Sequence, residues 1–473
     1  MGKLFCGLDF GTTNSSVAVS DGQRTWVLEL DELNDTSTCL PSLLYIGRDG
    51  EQIVGRAAAN AFIERNVDRE VLLEQVDLGV SIEGYVASEP DKSESYRPPE
   101  GTSMVSEGIF ARATVEVNLP GRLFQSLKSQ LRHRGFRGTE VFGRKYQIEE
   151  LTAAILVRMK QAVDEAAGEP VDSVVLGRPV RFSEDPAEDA VAERRLRVAA
   201  NLAGFKNTTF FYEPVAACVE YAIASDRQQR LMVVDIGGGT CDVCVMEFGG
   251  KHGAQERLAE SRILGVAGVP VAGDAIDREI IRAKLFPRFG SRSRYGPSIL
   301  PVPQFLFNML LDWQNLYKLN TEETLNWLVA MEMSSTDPEA IRALHCLIRR
   351  NFGYPLAREV EAAKKRLSSE QATLIDLHKD EIQLSEKLER GEFSHIIEHT
   401  LDKMFESIQE AESQAESSPQ DIDCVLTTGG TSLIPAVLQM LGERYGADRI
   451  LQRDTFTSVA AGLAVVAQYA HPG

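Results

Sequence analysis

One pattern occurs twice and constrains the fold more than any other feature of the chain. Residues 4–19 read LFCGLDFGTTNSSVAV and residues 231–246 read LMVVDIGGGTCDVCVM. Each copy is an apolar run, an aspartate, a glycine-bearing turn with threonine, and then an alternating run. Alternation is the period of a half-buried strand, so each copy is expected to be a β-hairpin. Three consecutive glycines, Gly237, Gly238 and Gly239, disfavour helix and strand alike. Bare backbone at a hairpin tip lets N–H groups approach phosphate oxygens, threonine hydroxyls add donors, and aspartates suit a hydrated Mg2+. Asp9 and Asp235 lie almost half the chain apart. The sequence therefore reads as two similar lobes, each opened by one hairpin, with a ligand between them.

The 473 residues suffice for two or more cores, and 43% hydrophobic with 25% charged residues is the profile of a soluble globular protein. A net charge of −19 argues against a broad nucleic-acid partner. The N-terminus, MGKLFCGLDFG, has one lysine before a strand and lacks the pattern of a secretory signal. Cys6 stands where a myristoylation signal needs Ser or Thr. No apolar run approaches the roughly 18–20 residues of a membrane span. The seven cysteines are odd in number and scattered, which argues against a disulfide framework. The expectation is a cytoplasmic protein without a membrane partner.

Four further segments sharpen the reading. FFYEPVAACVEYAIA (210–224) ends a strand and opens a helix at Glu213 and Pro214, where the missing proline N–H costs nothing. The others are VAGDAIDREI (271–280), REVEAAKKRLSSEQ (358–371) and DCVLTTGGTSLIPAV (423–437). With the two hairpins, and in this order, they resemble the actin-type ATPase fold, in which duplicated ribonuclease H-like lobes of α/β class enclose a nucleotide cleft. Within that fold the chain is identified as a member of the DnaK-type, seventy-kilodalton heat-shock chaperone ATPases, in a YegD-like branch.

The resemblance implies ATP or ADP with Mg2+ as ligand. Gly11, Thr12, Thr13, Gly237, Gly238, Gly239 and Thr240 would cradle the phosphates, with Gly273 and Asp274 meeting them from 271–280. Glu361, Lys364, Lys365 and Ser368 match an adenosine-binding helix, and Gly429, Gly430 and Thr431 a second adenosine segment. Asp9 and Asp235 would hold the hydrated metal, and Glu213 with Asp235 would position the attacking water. Leu123, Leu127 and Leu131 recur every four residues, so a short helix is expected there. Lys128 on it matches the family's catalytic lysine and would neutralise charge on the γ-phosphate.

Some features point elsewhere. CDVC (241–244) has metal-knuckle spacing, but no second pair follows and strand positions three apart point to opposite faces, so core cysteines are expected. HIIEH (395–399) matches a zinc-protease pattern, with His395 and His399 on one helical face, but sits in an ordinary amphipathic run. Arg122, Arg132, His133, Arg134, Arg137, Arg144 and Lys145 form a basic cluster that reads as a solvated face or as an acidic partner's site. No Walker A pattern occurs, which excludes a P-loop enzyme.

The departures matter too. Leu433 stands where the family stacks an arginine on adenine, and Phe456 where it carries an aspartate. After SVAAGLAVVAQYAHPG no linker or peptide-binding β-sandwich follows, so an ATPase without the chaperone's substrate domain is expected. The expected lobes are 1–228, rejoined by 450–473, and 229–449. Surplus length falls at about 65–120, with a polar surface loop at 88–103, and at 286–352. The latter reads as a helical insertion with its own core or as a docking surface. Three functions stay open: a slow Mg-ATPase whose closing lobes regulate a protein partner or co-chaperone, a non-hydrolysing nucleotide-dependent scaffold, and a small-molecule kinase.

Overall fold

A computed structural model of the chain describes residues 4–69, 71–83, 108–224, 228–248, 261–452 and 457–470. Two compact units are present: Met1–Asp68 with Pro120–Gly473, and Arg69–Leu119. The smaller unit holds an antiparallel hairpin, Leu73–Glu83 against Gly108–Glu116, whose register shifts between Asp77 and Ser81. The polar loop expected at 88–103 lies outside the described residues.

The larger unit contains a six-strand and a five-strand sheet that share one five-strand path, the first adding the short strand Leu40–Pro41 against Asn14–Ser20. In the first, Thr25–Val27, Asn14–Ser20 and Phe5–Phe10 run antiparallel, then Ser173–Arg178 and Asn207–Tyr212 join in parallel. In the second, Arg262–Val269, Cys241–Phe248 and Gln229–Ile236 are antiparallel, then Cys424–Thr428 and Ile450–Gln452 follow in parallel. The registers coincide. Gly7 faces Ala18 on one side and Val175 on the other, and Val233 faces Cys244 and Leu426. Asp9 and Asp235, each two residues further on, thus occupy the same place in the two sheets. This is the duplicated, actin-like α/β architecture expected from the repeat.

Helices cover both sheets, as parallel connections require. Ile148–Ala167 lays Leu151, Ile155, Leu156 and Met159 into a core with Leu8, Phe10, Val17 and Val19 of the first sheet. Pro186–Leu202 starts on Asp185, whose side chain accepts from the Ala187 N–H, with proline in its first turn. The C-terminal helix Ser458–Ala470 returns to the first sheet and packs Val459, Leu463 and Ala467 against Val215 and Ala216. The return starts later than residue 450, because Ile450–Gln452 is still the edge strand of the second sheet.

The helices within 286–352 do not build a separate core. Phe286, Phe307, Leu310, Leu316, Leu328 and Ile341 join one continuous cluster with Met232 and Val234 of the second sheet. Trp313 packs against Phe62 and Tyr354 at ring-centroid distances of 5.4 and 4.8 Å. The apolar stripes of this segment are therefore mostly core. Trp327, stacked on the exposed ring of Phe305, is the wetter exception.

The lysine helix is shorter than its leucine spacing suggests. Leu123 lies in the strand Gly121–Phe124, paired with Leu44–Gly47, and the helix spans Leu127–Gln130. Ser126 breaks the run with φ 56°, a left-handed turn that separates strand from helix.

Candidate nucleotide site

The two glycine hairpins bring their tips together. Gly237 N–H donates to Thr240 O, closing the second tip into a tight turn. The carbonyls of Gly237 and Gly238 accept from Gly273 and Asp274 at the start of the helix Gly273–Ile280. Thr431 Oγ1 donates to Gly237 O at 2.7 Å, tying the Gly429–Thr431 segment to the same loop. Opposite, Ser42 Oγ donates to Gly11 O at 2.8 Å and its N–H to Thr13 O, fixing the first tip. A Cβ on Gly239 would lie 2.7 Å from Thr12 Oγ1 and 3.1 Å from Ser129 Oγ, so a bare backbone is required where the tips approach.

Between the tips lies a buried charge cluster. Lys128 Nζ donates to Glu213 Oε1 at 2.7 Å, with Lys128 and Glu213 only 6% and 5% exposed. Glu213 opens the helix Glu213–Ala224, where the helix dipole favours a carboxylate. Its side chain passes over Gly177, where a Cβ would sit 2.9 Å from Glu213 Cγ. Asp9 and Asp235 face the same cluster, and so does Asp242, 1% exposed and directly across the ladder from Asp235. Burial, then Glu213, push the Asp9 carboxyl up to about 7 against the pull of Lys128. Burial and Glu213 do the same to Asp242, also about 7, although hydrogen bonds from Thr240 and Val180 oppose them. Asp235 is held well above the carboxylate range by burial and by Glu213, Asp242 and Asp9. For Lys128, burial pulls its value down, but Glu213 and Asp9 outweigh that and raise it.

Four carboxyl groups thus share the site with one buried ammonium, and their ionisation would leave a surplus of negative charge that a cation would offset. Among the described residues no three His, Cys, Asp or Glu side chains converge into a preformed metal cage. The donor set fits Mg2+, which keeps several waters and uses one or two carboxylates together with phosphate oxygens. It does not fit an ion needing an all-protein shell.

The remaining expected residues divide into two groups. Lys364, half-buried, donates to Asp277 Oδ2 at 2.8 Å and to Gly273 O at 3.3 Å, so it braces the start of the helix Gly273–Ile280. Lys365 pairs with Glu361 at 2.7 Å on an exposed face, and Ser368 lies past the end of the helix Gly353–Arg366. Gly429 has φ 79°, and Gly430 and Thr431 lie in the short helix that ends at Leu433, which is half-buried. Phe456 lies outside the described residues. Asp274 approaches the first lobe, 3.5 Å from Ser126 Oγ, and burial raises its carboxyl to about 6.

Asp242, Gly177 and Ser42 were missing from the sequence reading. Asp242 was recoverable, since a hairpin folded about Gly238 sets the residue seven after Asp235 opposite it. Val180 N–H donates to Asp242 Oδ1 at 2.7 Å, a buried bond from one sheet's connections to the other sheet.

Both metal-like motifs dissolve. Cys241 and Cys244 are buried in a strand, and all seven cysteines are free and buried. His395 and His399 fall on two helices, Arg390–Ile396 and Glu398–Gln414, separated at Ile397. A groove of about 580 Å3 lies at Glu359, Arg366, Thr373, Asp376 and Lys387, apart from this chemistry, and its Arg366 is held by Glu359. No helix among the described residues is long and apolar enough to cross a membrane.

The family model described as Hsp70 protein matches residues 124–261 and 350–472. The chain belongs to the Hsp70 family. Both matched stretches contain candidate site residues, Lys128, Glu213 and Asp235 in the first and Glu361 and Gly429 in the second. Among curated Hsp70 relatives, Chaperone protein DnaK 1 of Synechococcus sp. is 26% identical over 99% of this chain and 50% of its own length. Chaperone protein DnaK of Thermus thermophilus is 26% identical over 98% of this chain and 60% of its own length. Chaperone protein dnaK3 of Synechococcus elongatus is 25% identical over 99% and 50%. The chain spans about half the length of these Hsp70 relatives.

Proposed function

We propose that this chain binds Mg-ATP between its two glycine hairpins and hydrolyses it slowly, lobe closure acting on a protein partner. The observation that carries the reading is the Lys128–Glu213 pair buried between Asp9 and Asp235 where both tips meet. The metal, when bound, would offset phosphate charge and orient the terminal phosphoryl group. Asp9 and Asp235 would hold it through its waters. The N–H groups around Gly11 and Gly237–Gly239, with Thr12, Thr13 and Thr240, would bind the phosphates. Lys128 would hold positive charge at the terminal phosphate, and Glu213 with Asp235 would orient the attacking water and accept its hydrogen bond. Such positioning and electrostatics are the main contributions a protein makes to phosphoryl transfer. A chamber of about 20 Å3, bounded by Thr12, Lys128, Gly239 and Thr240, has room for one water.

A cytoplasmic, chaperone-like role with a co-chaperone or other protein partner follows from the same reading. Leu433 favours a second one, a nucleotide-dependent scaffold without turnover, because an apolar side chain there gives the adenine no cation to stack on. Single-turnover phosphate release from Mg-ATP separates the two. Release that vanishes in Lys128→Ala while nucleotide still binds supports hydrolysis, whereas binding without release in the unmodified chain leaves the scaffold.

A further inference from the structure

The cluster around Lys128 leaves one charge problem open. Lys128 is already engaged by Glu213 at 2.7 Å, so its charge is committed within the protein. A triphosphate differs from a diphosphate by one further anionic group, and that group needs an additional cation on the protein side.

Arg132 supplies it by position. Four residues after Lys128, it lines the same one-water chamber, together with Thr12, Ser129, Pro179, Phe182, Gly239 and Thr240. Its Nη1 donates to Phe182 O at 3.2 Å, and among the described residues no carboxylate pairs with it. A guanidinium presents five donors in a planar fork, so one bond to a carbonyl leaves others for a phosphate. The backbone that carries it is held from below. Arg195, 7% exposed, donates to the carbonyls of Leu131 and His133, the two neighbours of Arg132. Arg134 and Arg137, in the same basic stretch, are exposed and do not line the chamber.

We propose that Arg132 is the residue that recognises the terminal phosphate, distinguishing a nucleoside triphosphate from the diphosphate. The inference rests on the nucleotide-binding reading above. In hydrolysis the water oxygen bonds to the terminal phosphorus and the bond to the bridging oxygen breaks, its electron pair remaining on the diphosphate. One of the water's protons stays on the inorganic phosphate and the other is released to solvent, and Arg132 keeps all its protons, acting by charge alone.

The test is calorimetric titration of the full chain with Mg-ATP and, separately, Mg-ADP, for the unmodified protein and for Arg132→Ala, Arg132→Lys and Arg134→Ala. Arg132→Ala should weaken ATP binding at least about tenfold and leave ADP within about twofold, since a charge-assisted pair to one phosphate is lost. Arg132→Lys should fall between, because a point charge replaces the fork. Arg134→Ala should change neither affinity, which separates this site from the general basic field. Equal weakening of both nucleotides, or of neither, overturns the inference while nucleotide binding itself stands. An unmodified chain that binds neither nucleotide overturns the proposed function as well. The Lys variant and a melting curve keep the result readable if Arg132→Ala folds poorly.

Discussion

Lys128 and Glu213, 85 residues apart, form a buried 2.7 Å ion pair that joins the short lysine helix to the start of Glu213–Ala224. Breaking one side of a buried pair strands the other charge. Lys128→Met should therefore destabilise the chain by about 3–5 kcal/mol, and the double variant with Glu213→Gln by less. Denaturant melts of the two variants decide this, and equal losses would contradict it.

The acid cluster gives stability a pH dependence of definite sign. Burial raises the Asp242 carboxyl to about 7 from its ordinary 3.8, so the folded state binds a proton that the unfolded state has released. Stability should then fall as pH rises through 7, by about 1 kcal/mol between pH 6 and 8 for such a group. Asp242→Asn should flatten the slope in melts at those two pH values.

Gly177 leaves room for the Glu213 side chain, and a Cβ there would also meet Leu463 Cδ1 at 3.2 Å. Gly177→Ala should cost about 1–3 kcal/mol by overpacking. It should also slow phosphate release by displacing Glu213 from Lys128, read in the same single-turnover assay. A stable variant with unchanged release would remove Gly177 from the account.

Leu433→Arg should restore a cation against the base. The expected gain in Mg-ADP affinity is about fivefold to tenfold, the range of about 1 kcal/mol for an exposed cation–π contact. Titration with adenine and guanine nucleotides checks both the gain and its base preference.

Much of this site was legible because glycine and aspartate spacing at a hairpin tip is a local property. The repeat located both tips, and Glu213-Pro214 announced its own helix. What escaped depends on pairing or on distant packing. Leu123 fits a helical spacing and a strand equally well, and only its pairing with Tyr45 puts it in the sheet. Asp242 gains its place from the register of the hairpin, and Gly177 from a side chain that arrives 36 residues later. The HIIEH pattern failed for a reason no spacing reveals, a helix break at Ile397.

The bond from Val180 N–H to Asp242 Oδ1 has a mechanical consequence. It is short, buried and spans the two sheets, so separating them leaves a donor and a carboxyl without partners until water enters. Such an exposure costs about 1–3 kcal/mol. In the lobe closure proposed above, this bond would act as a catch, and whatever drives the motion must first supply enough to release it.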